Sequence, residues 1–303
     1  MNIPKSNAKL SQIISFYLSS PAFARLSASS QRDYEKNLIE IMNTTIEGKD
    51  LGDYRVDKLK VRHLTQAYEL WLLKGTRAAN YRKSCLSAAW KNAMRYDVMT
   101  HNPVSLIQGV SGKPRKVVWQ REQIQTFLAT AYSNFHWRSI GLIAHMAYDW
   151  GQRVGDMRVL TWDKLNLDNC QLDMTQSKRN AEVHLPISKG LCEMLRIQKE
   201  DFGFQQYVAP KPVMVAGKLV PYRKNEIAML INAILDKANL PRELTAMDLR
   251  RTAVTEMMEG GVDLVGIMQV TGHKNTASVK PYMVNTFSGA SKALAARGVK
   301  EDE

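Results

Sequence analysis

Arg250, His273 and Tyr282 bring a guanidinium, an imidazole and a phenol into one short stretch of chain, and Arg153 and Lys178 add two cations upstream. These types suit one kind of chemistry. A phosphodiester attacked in line gathers negative charge on its non-bridging oxygens. Guanidiniums stay charged and can grip two oxygens at once, so a pair of them makes a clamp for that charge. His273 can add a donor to the same phosphate. The Tyr282 phenol, with an ordinary pKa near ~10, can attack if it gives up its proton on the way. No step of such an attack requires a metal. The three cysteines and six histidines also lack metal-ligand spacing, so a bound metal is not expected.

Each residue alone has a plainer explanation. Arg153 and Asp156 lie three apart at a helix start and could simply pair, worth roughly a few tenths of a kcal/mol. Lys178 could be a solvated turn lysine, Arg250 and Arg251 surface cations, His273 a cap and Tyr282 a core tyrosine. Their order says more than their identities. Arg153 sits in Gly-x-Arg-x-x-Asp and Lys178 follows 25 positions later; Arg250 sits in Leu-Arg-Arg-Thr, the histidine of Thr-Gly-His falls 23 positions after it, and Tyr282 nine after that.

The elements that must hold these groups follow from periodicity. Residues 10–100 read as helices: Leu10, Ile13, Ile14, Tyr17 and Leu18 recur at helical spacing, a second helix starts at the Ser27–Ser30 cap cluster, a third spans Val61 to Leu73, and a fourth runs from Arg77 to about Tyr96. The fourth carries Tyr81, Cys85, Leu86, Ala89, Trp90 and Ala93 on its apolar face, which leaves Arg82, Lys83, Lys91 and Arg95 for other faces. Gln108 to Lys116, with Gly109, Gly112 and Pro114, reads as an exposed basic linker. Beyond it, helices are expected over Arg121–Tyr132, Ile140–Trp150, from Gly151 through Leu160, and over Ile187–Ile197, Asn225–Ala238, Met247–Glu259 and Val262–Gln269. A helical segment then reaches Tyr282, and a short one covers Phe287–Arg297. Between Lys164 and Pro186 the period changes toward two, giving a small antiparallel sheet with Ser177–Asn180 at a hairpin tip. The stretch from Phe202 to Tyr222 reads as a long irregular connection.

Composition bounds the partners. With 303 residues, 45% of them apolar, the chain can fill two cores. Its longest apolar run, Ile140 to Tyr148, contains His145 and is far too short to span a bilayer, and the start at Met1-Asn2-Ile3-Pro4-Lys5 has no signal-peptide character, so a protein of the bacterial cytoplasm, at the nucleoid, is expected. Cys85, Cys170 and Cys192 read as buried thiols of a reducing compartment, without disulfides. Net charge is +13, with residues 1–110 carrying 16 Lys/Arg against 9 Asp/Glu and residues 119–303 only 23 against 20. A polyanion is the first partner to consider, and the front third is its expected footprint.

Taken together, the ordered series resembles the tyrosine recombinase (phage integrase) family, and the resemblance covers most of the chain. It implies a mainly α fold with a small antiparallel β-sheet: a helical-bundle core-type DNA-binding domain over residues 1–107, a basic linker over 108–118, and an α+β catalytic domain over 119–303 with a C-terminal tail helix. It implies that Arg153, Arg250 and His273 hold the phosphate, that Tyr282 attacks it, that Lys178 protonates the departing 5′ oxygen, and that Asp156 is the buried carboxylate steadying the arginine. The product would be a 3′-phosphotyrosyl intermediate, later attacked by a 5′-hydroxyl of a partner strand. Bond energy stays in the covalent link, so no nucleotide cofactor is needed. Arg82, Lys83, Lys91, Arg95, Lys113, Arg115 and Lys116 are the candidate DNA contacts. Double-stranded DNA is the implied partner, with a monomer in solution, a homo-tetramer on two DNA sites, room for an accessory DNA-bending protein, and no membrane. With little chain ahead of residue 10 for an arm-binding domain, a compact recombinase of a phage or mobile element is expected. In the family the tail helix docks on a neighbouring protomer, while packing within its own subunit is the ordinary alternative.

One position departs from the family. Its pattern His-x-Leu-Arg has Met247 in place of the histidine, and methionine cannot move a proton at neutral pH. Asp248 points about 100° away on a helix and would repel a phosphate, so it is not expected to substitute. General-base help is worth about 10²–10⁴-fold. The site is therefore that of a slower enzyme, of one that borrows a group from elsewhere, or of a DNA-binding relative that no longer recombines. A Xer-like chromosome or plasmid dimer resolvase and a type IB topoisomerase-like enzyme, which needs no histidine there, are the alternative activities.

Overall fold

The computed structural model describes the whole chain except residues 1, 113–114, 178–179, 284–285 and 297–303. Two compact units result, Met1–Lys113 and Pro114–Glu303. Among the described residues, no helix is long and apolar enough to cross a membrane.

The first unit contains α1 (Leu10–Leu18), α2 (Pro21–Ala24), α3 (Ala28–Met42), a two-residue hairpin β1 (Thr45–Ile46) and β2 (Lys49–Asp50), α4 (Val61–Leu72) and α5 (Thr76–Met94). Ser27 caps α3 by accepting the Ser30 amide, as its place ahead of an apolar period predicts. Leu10, Ile13, Ile14, Leu38, Ile41, Leu64, Leu86 and Trp90 are buried together in one core. The β1–β2 hairpin interrupts the helical series and turns at Glu47-Gly48, both with positive φ. Residues 108–110 of the expected linker are fastened to this unit, because Asn80 donates to the Val110 carbonyl (2.8 Å) and the Val110 amide donates to the Tyr68 hydroxyl (2.9 Å).

Of the four cations expected outward on α5, Arg82 is buried, 6% exposed, and pairs with Glu40 of α3. The helix period explains this correction: Arg82 lies four and seven positions before Leu86 and Ala89, on the buried stripe itself. Tyr81 takes the outer place instead, its ring 5.8 Å from that of Tyr34. Lys83 is half-buried and donates to the Ile107 carbonyl, whereas Lys91 and Arg95 are exposed.

The second unit is built around α7 (Phe135–Asp149), which packs on α6 (Arg121–Tyr132). Gly141 allows their approach, since a Cβ there would stand 2.7 Å from that of Ala131. Short α8 (Val154–Met157) leads to the three-stranded antiparallel sheet β3 (Leu165–Asn166), β4 (Gln171–Thr175) and β5 (Glu182–Pro186), in the order β3-β4-β5. Leu172 faces Leu185 and Met174 faces Val183 across the register, so alternation buries one side. Next come α9 (Lys189–Phe202), α10 (Lys224–Lys237), α11 (Ala246–Glu259), α12 (Leu264–Thr271) and α13 (Phe287–Ala296). The segment expected as a helix up to Tyr282 is two 3₁₀ turns, Thr276–Ser278 and Lys280–Tyr282. In this structure α13 packs on α11 of its own chain, with Thr286 bonded to the Glu259 carboxylate and Lys292 to the Glu259 carbonyl. Cys170 and Cys192, far apart in sequence, bring their sulfurs to 2.7 Å, both as free thiols.

Candidate active site

Arg153 is the N-cap residue of α8, fixed where α7 ends and the chain turns at Gly151. Its Nη1 donates to Gln176 Oε1 at 2.7 Å, while the Asp156 carboxylate stands 3.7 Å away, within ion-pair but not hydrogen-bond reach. Asp156 is buried; one of its oxygens accepts from Ser177 and the other accepts no hydrogen bond among the described residues. The expected steadying carboxylate is thus present, but the atom that grips the arginine belongs to a glutamine. Only its place two positions before Lys178 could have pointed to it.

Arg250 projects from α11 and is 3% exposed. Its Nη2 donates to the Thr271 carbonyl (2.9 Å) and lies 3.0 Å from His273 Nε2. Among the described residues its Nε and Nη1 meet no acceptor in hydrogen-bond geometry. Burial, and then the Arg153 guanidinium, pull its pKa down to about 10, so the side chain keeps its charge at neutral pH, and the Tyr282 phenol beside the guanidinium favours that charged form. A buried cation whose N–H groups meet no acceptor is costly unless an anion arrives to take them.

His273 follows the left-handed Gly272 that ends α12. The ring is buried, with Nδ1 2.7 Å from Thr271 Oγ1. Tyr282 closes the second 3₁₀ turn, and its ring centroid lies 5.3 Å from that of His273 and 5.4 Å from the Arg250 guanidinium carbon. A small core of Val254, Ile267 and Val279 carries it. Arg153, Arg250, His273 and Tyr282 therefore lie together, as the family resemblance implies. Lys178, together with Lys113, lies outside the described residues.

Met247 is 73% exposed, at the start of α11. Asp248 beside it is fully buried and committed elsewhere: it accepts from Thr245 N and Oγ1, from Arg251 Nη1 (2.9 Å) and from Arg115 Nε (2.8 Å) and Nη2 (2.7 Å). Burial is the largest single influence and would raise its carboxyl, but the Arg115 guanidinium and the Thr245 side chain together outweigh it and hold the carboxyl below the usual range. Arg115, expected as a DNA contact in an open linker, instead pins the strap ahead of α6 to the first turn of α11. Trp119 adds to that joint through its amide on Thr252 (2.9 Å) and its indole on the Thr245 carbonyl (3.1 Å). Lys116 is exposed.

Residues 118–288 match the phage integrase family. The tyrosine recombinase XerC of Bacillus pumilus (strain SAFR-032) is 21% identical over 268 residues, 86% of this chain and 86% of that protein. Among solved structures, a lambda integrase dimer bound to a COC′ core site aligns with a TM-score of 0.74 at 18% identity, covering 98% of this chain and 81% of that one. The Tn1549 transposon integrase in complex with a circular intermediate DNA aligns at 0.71 and 16% identity, covering 95% and 99%.

Proposed function

This chain belongs to the phage integrase family, whose members cut and rejoin DNA through a tyrosine ester, and on that premise we propose that Tyr282 is its nucleophile and that Arg153, Arg250 and His273 hold the scissile phosphate. The observation that carries the reading is buried Arg250, whose Nε and Nη1 meet no acceptor in hydrogen-bond geometry among the described residues, beside the Tyr282 ring. The Tyr282 oxygen bonds to phosphorus and loses its proton, and the bond to the 5′ oxygen breaks. That oxygen takes a proton from Lys178 and leaves as a free hydroxyl. Religation is the same exchange reversed, with a 5′-hydroxyl from a partner strand as the attacking group. Asp156, 3.7 Å from Arg153, offsets part of the repulsion between the two guanidiniums.

The protein acts as a recombinase of a phage or mobile element, in the cytoplasm, and as a tetramer when it joins two DNA sites. The DNA-bound integrases that share its fold support that reading. Met247, exposed and without an ionisable group, leaves the tyrosine proton to water or to the phosphate itself, so cleavage is slower than a site with a histidine there would allow.

The test is a pool of duplexes with a randomised core and a nick beside it, so that a short cleaved fragment diffuses away and traps the ester. Incubated with the protein and resolved under denaturing conditions, the pool is expected to yield a covalent adduct whose sequence defines the site. No adduct at any sequence would sink the enzymatic reading. On the selected duplex, replacing both Lys91 and Arg95 with alanine should weaken binding and lower the slope of log K against log salt by about 1.8. A slope that does not move would place the phosphate contacts on another face.

A further inference from the structure

We infer that Gln176 is a positioning residue for strand cleavage: its buried amide aims the Arg153 guanidinium and ties it, through one backbone carbonyl, to Arg250. This rests on the assignment of Arg153 to the phosphate clamp made above. Gln176 is fully buried at the end of the β4–β5 hairpin, where its amide donates to the Ala181 carbonyl (2.8 Å) and its carbonyl accepts from Asn180 (3.1 Å). Its side chain uses both of its N–H bonds and its oxygen. Nε2 donates to Gln152 Oε1 (2.6 Å) and to the Thr271 carbonyl (2.7 Å), and Oε1 accepts from Arg153 (2.7 Å). The same Thr271 carbonyl accepts from Arg250 (2.9 Å). One amide and one carbonyl therefore span the two guanidiniums, which repel each other.

Hydrogen-bond logic fixes which way that amide points. Gln152, also fully buried, spends both of its N–H bonds on the Trp150 (2.9 Å) and Val270 (2.6 Å) carbonyls, so only its oxygen is left to face Gln176. Gln176 must answer with its nitrogen, and its oxygen is then turned to Arg153. A glutamate of the same length would set a carboxylate against two carbonyl-type oxygens and neutralise the arginine. Gly272 belongs to the same arrangement. It has φ +68°, and a Cβ there would lie 2.5–2.9 Å from all three terminal atoms of the Gln176 amide, so a side chain at 272 would displace the amide.

The experiment is a double-mutant cycle of single-turnover cleavage on the duplex selected from the randomised pool, using the full chain. Gln176→Met is expected to slow adduct formation about 100-fold, the scale of a misplacement near 1 Å, with the dissociation constant for DNA within threefold of wild type. In an Arg153→Ala background the same substitution is expected to change the rate less than threefold, because no guanidinium remains to be aimed. A purely structural glutamine would give penalties that multiply in full, and that result overturns the proposal, as does a Gln176→Met protein cleaving within threefold of wild type. If Gln176→Met does not fold by circular dichroism, Gln176→Ala, which removes the acceptor for Arg153 and leaves room for water to meet the Gln152 and Thr271 oxygens, takes its place in the cycle with the same expectations. Absence of an adduct with wild type would instead defeat the parent reading, so the two failures are distinguishable.

Discussion

Replacing Tyr282 with phenylalanine is expected to remove the covalent protein–DNA adduct altogether, a loss on the order of 10⁵–10⁶-fold, without moving DNA affinity or melting temperature. The ring packs against the small core of Val254, Ile267 and Val279 and faces His273 and Arg250, and phenylalanine keeps all of those contacts. Only the oxygen goes, and with it the atom that must bond to phosphorus. Two other phenols of the unit, Tyr222 and Tyr148, make poor substitutes. Tyr222 is buried and its pKa is pushed up to about 12 by that burial, and Tyr148 is raised by burial and by donating to Glu256 Oε2 at 2.7 Å. The check is the selected nicked duplex with each protein, run on denaturing gels for the adduct and native gels for binding. An adduct that persists in Tyr282→Phe would mean that another group attacks.

Much of this architecture was legible in the sequence, for identifiable reasons. Arg121–Tyr132 and Val61–Leu72 were read to within a residue because apolar period and sharp boundaries coincide there. α7 starts five residues before its apolar run, because the Asn134 side chain caps a first turn, Phe135-His136-Trp137, that lies outside the run. The ordered series Arg153, Arg250, His273 and Tyr282 was legible because its chemistry demands those types in one place. The polar groups that hold them were not. The helical period puts Arg82 on the buried stripe of α5, yet nothing in it shows that Glu40 stands opposite to pair with it there. The same limit hides Arg115 on Asp248, since a cation beside glycines reads as solvated until its counter-charge is located. Gln176 is the extreme case, a neutral amide whose use depends on three partners, Gln152, Arg153 and Thr271, from two distant segments.

The second large effect is expected at Arg250, where even lysine should fail, and fail in a pH-dependent way. Arg250 is buried; among the described residues its Nε and Nη1 meet no acceptor in hydrogen-bond geometry, while Nη2 is held on the Thr271 carbonyl. A lysine offers one charged atom where the arginine offers a planar fork, so it cannot both keep that carbonyl and grip two phosphate oxygens. Losing donors of this kind costs about 10²–10³-fold in rate. Charge adds a second loss. Burial and the neighbouring Arg153 already lower the arginine to about 10, and the same surroundings act on a lysine that starts from a lower value. Protonation favours the clamp, so the Arg250→Lys rate should rise as pH falls through the lysine's lowered pKa and drop as pH climbs above it. Over the same range the wild-type arginine stays charged and adds no such limb. Single-turnover cleavage followed from pH 6 to 9 checks both parts. An Arg250→Lys protein within threefold of wild type across that range would show that neither the fork nor the buried charge is what the phosphate needs.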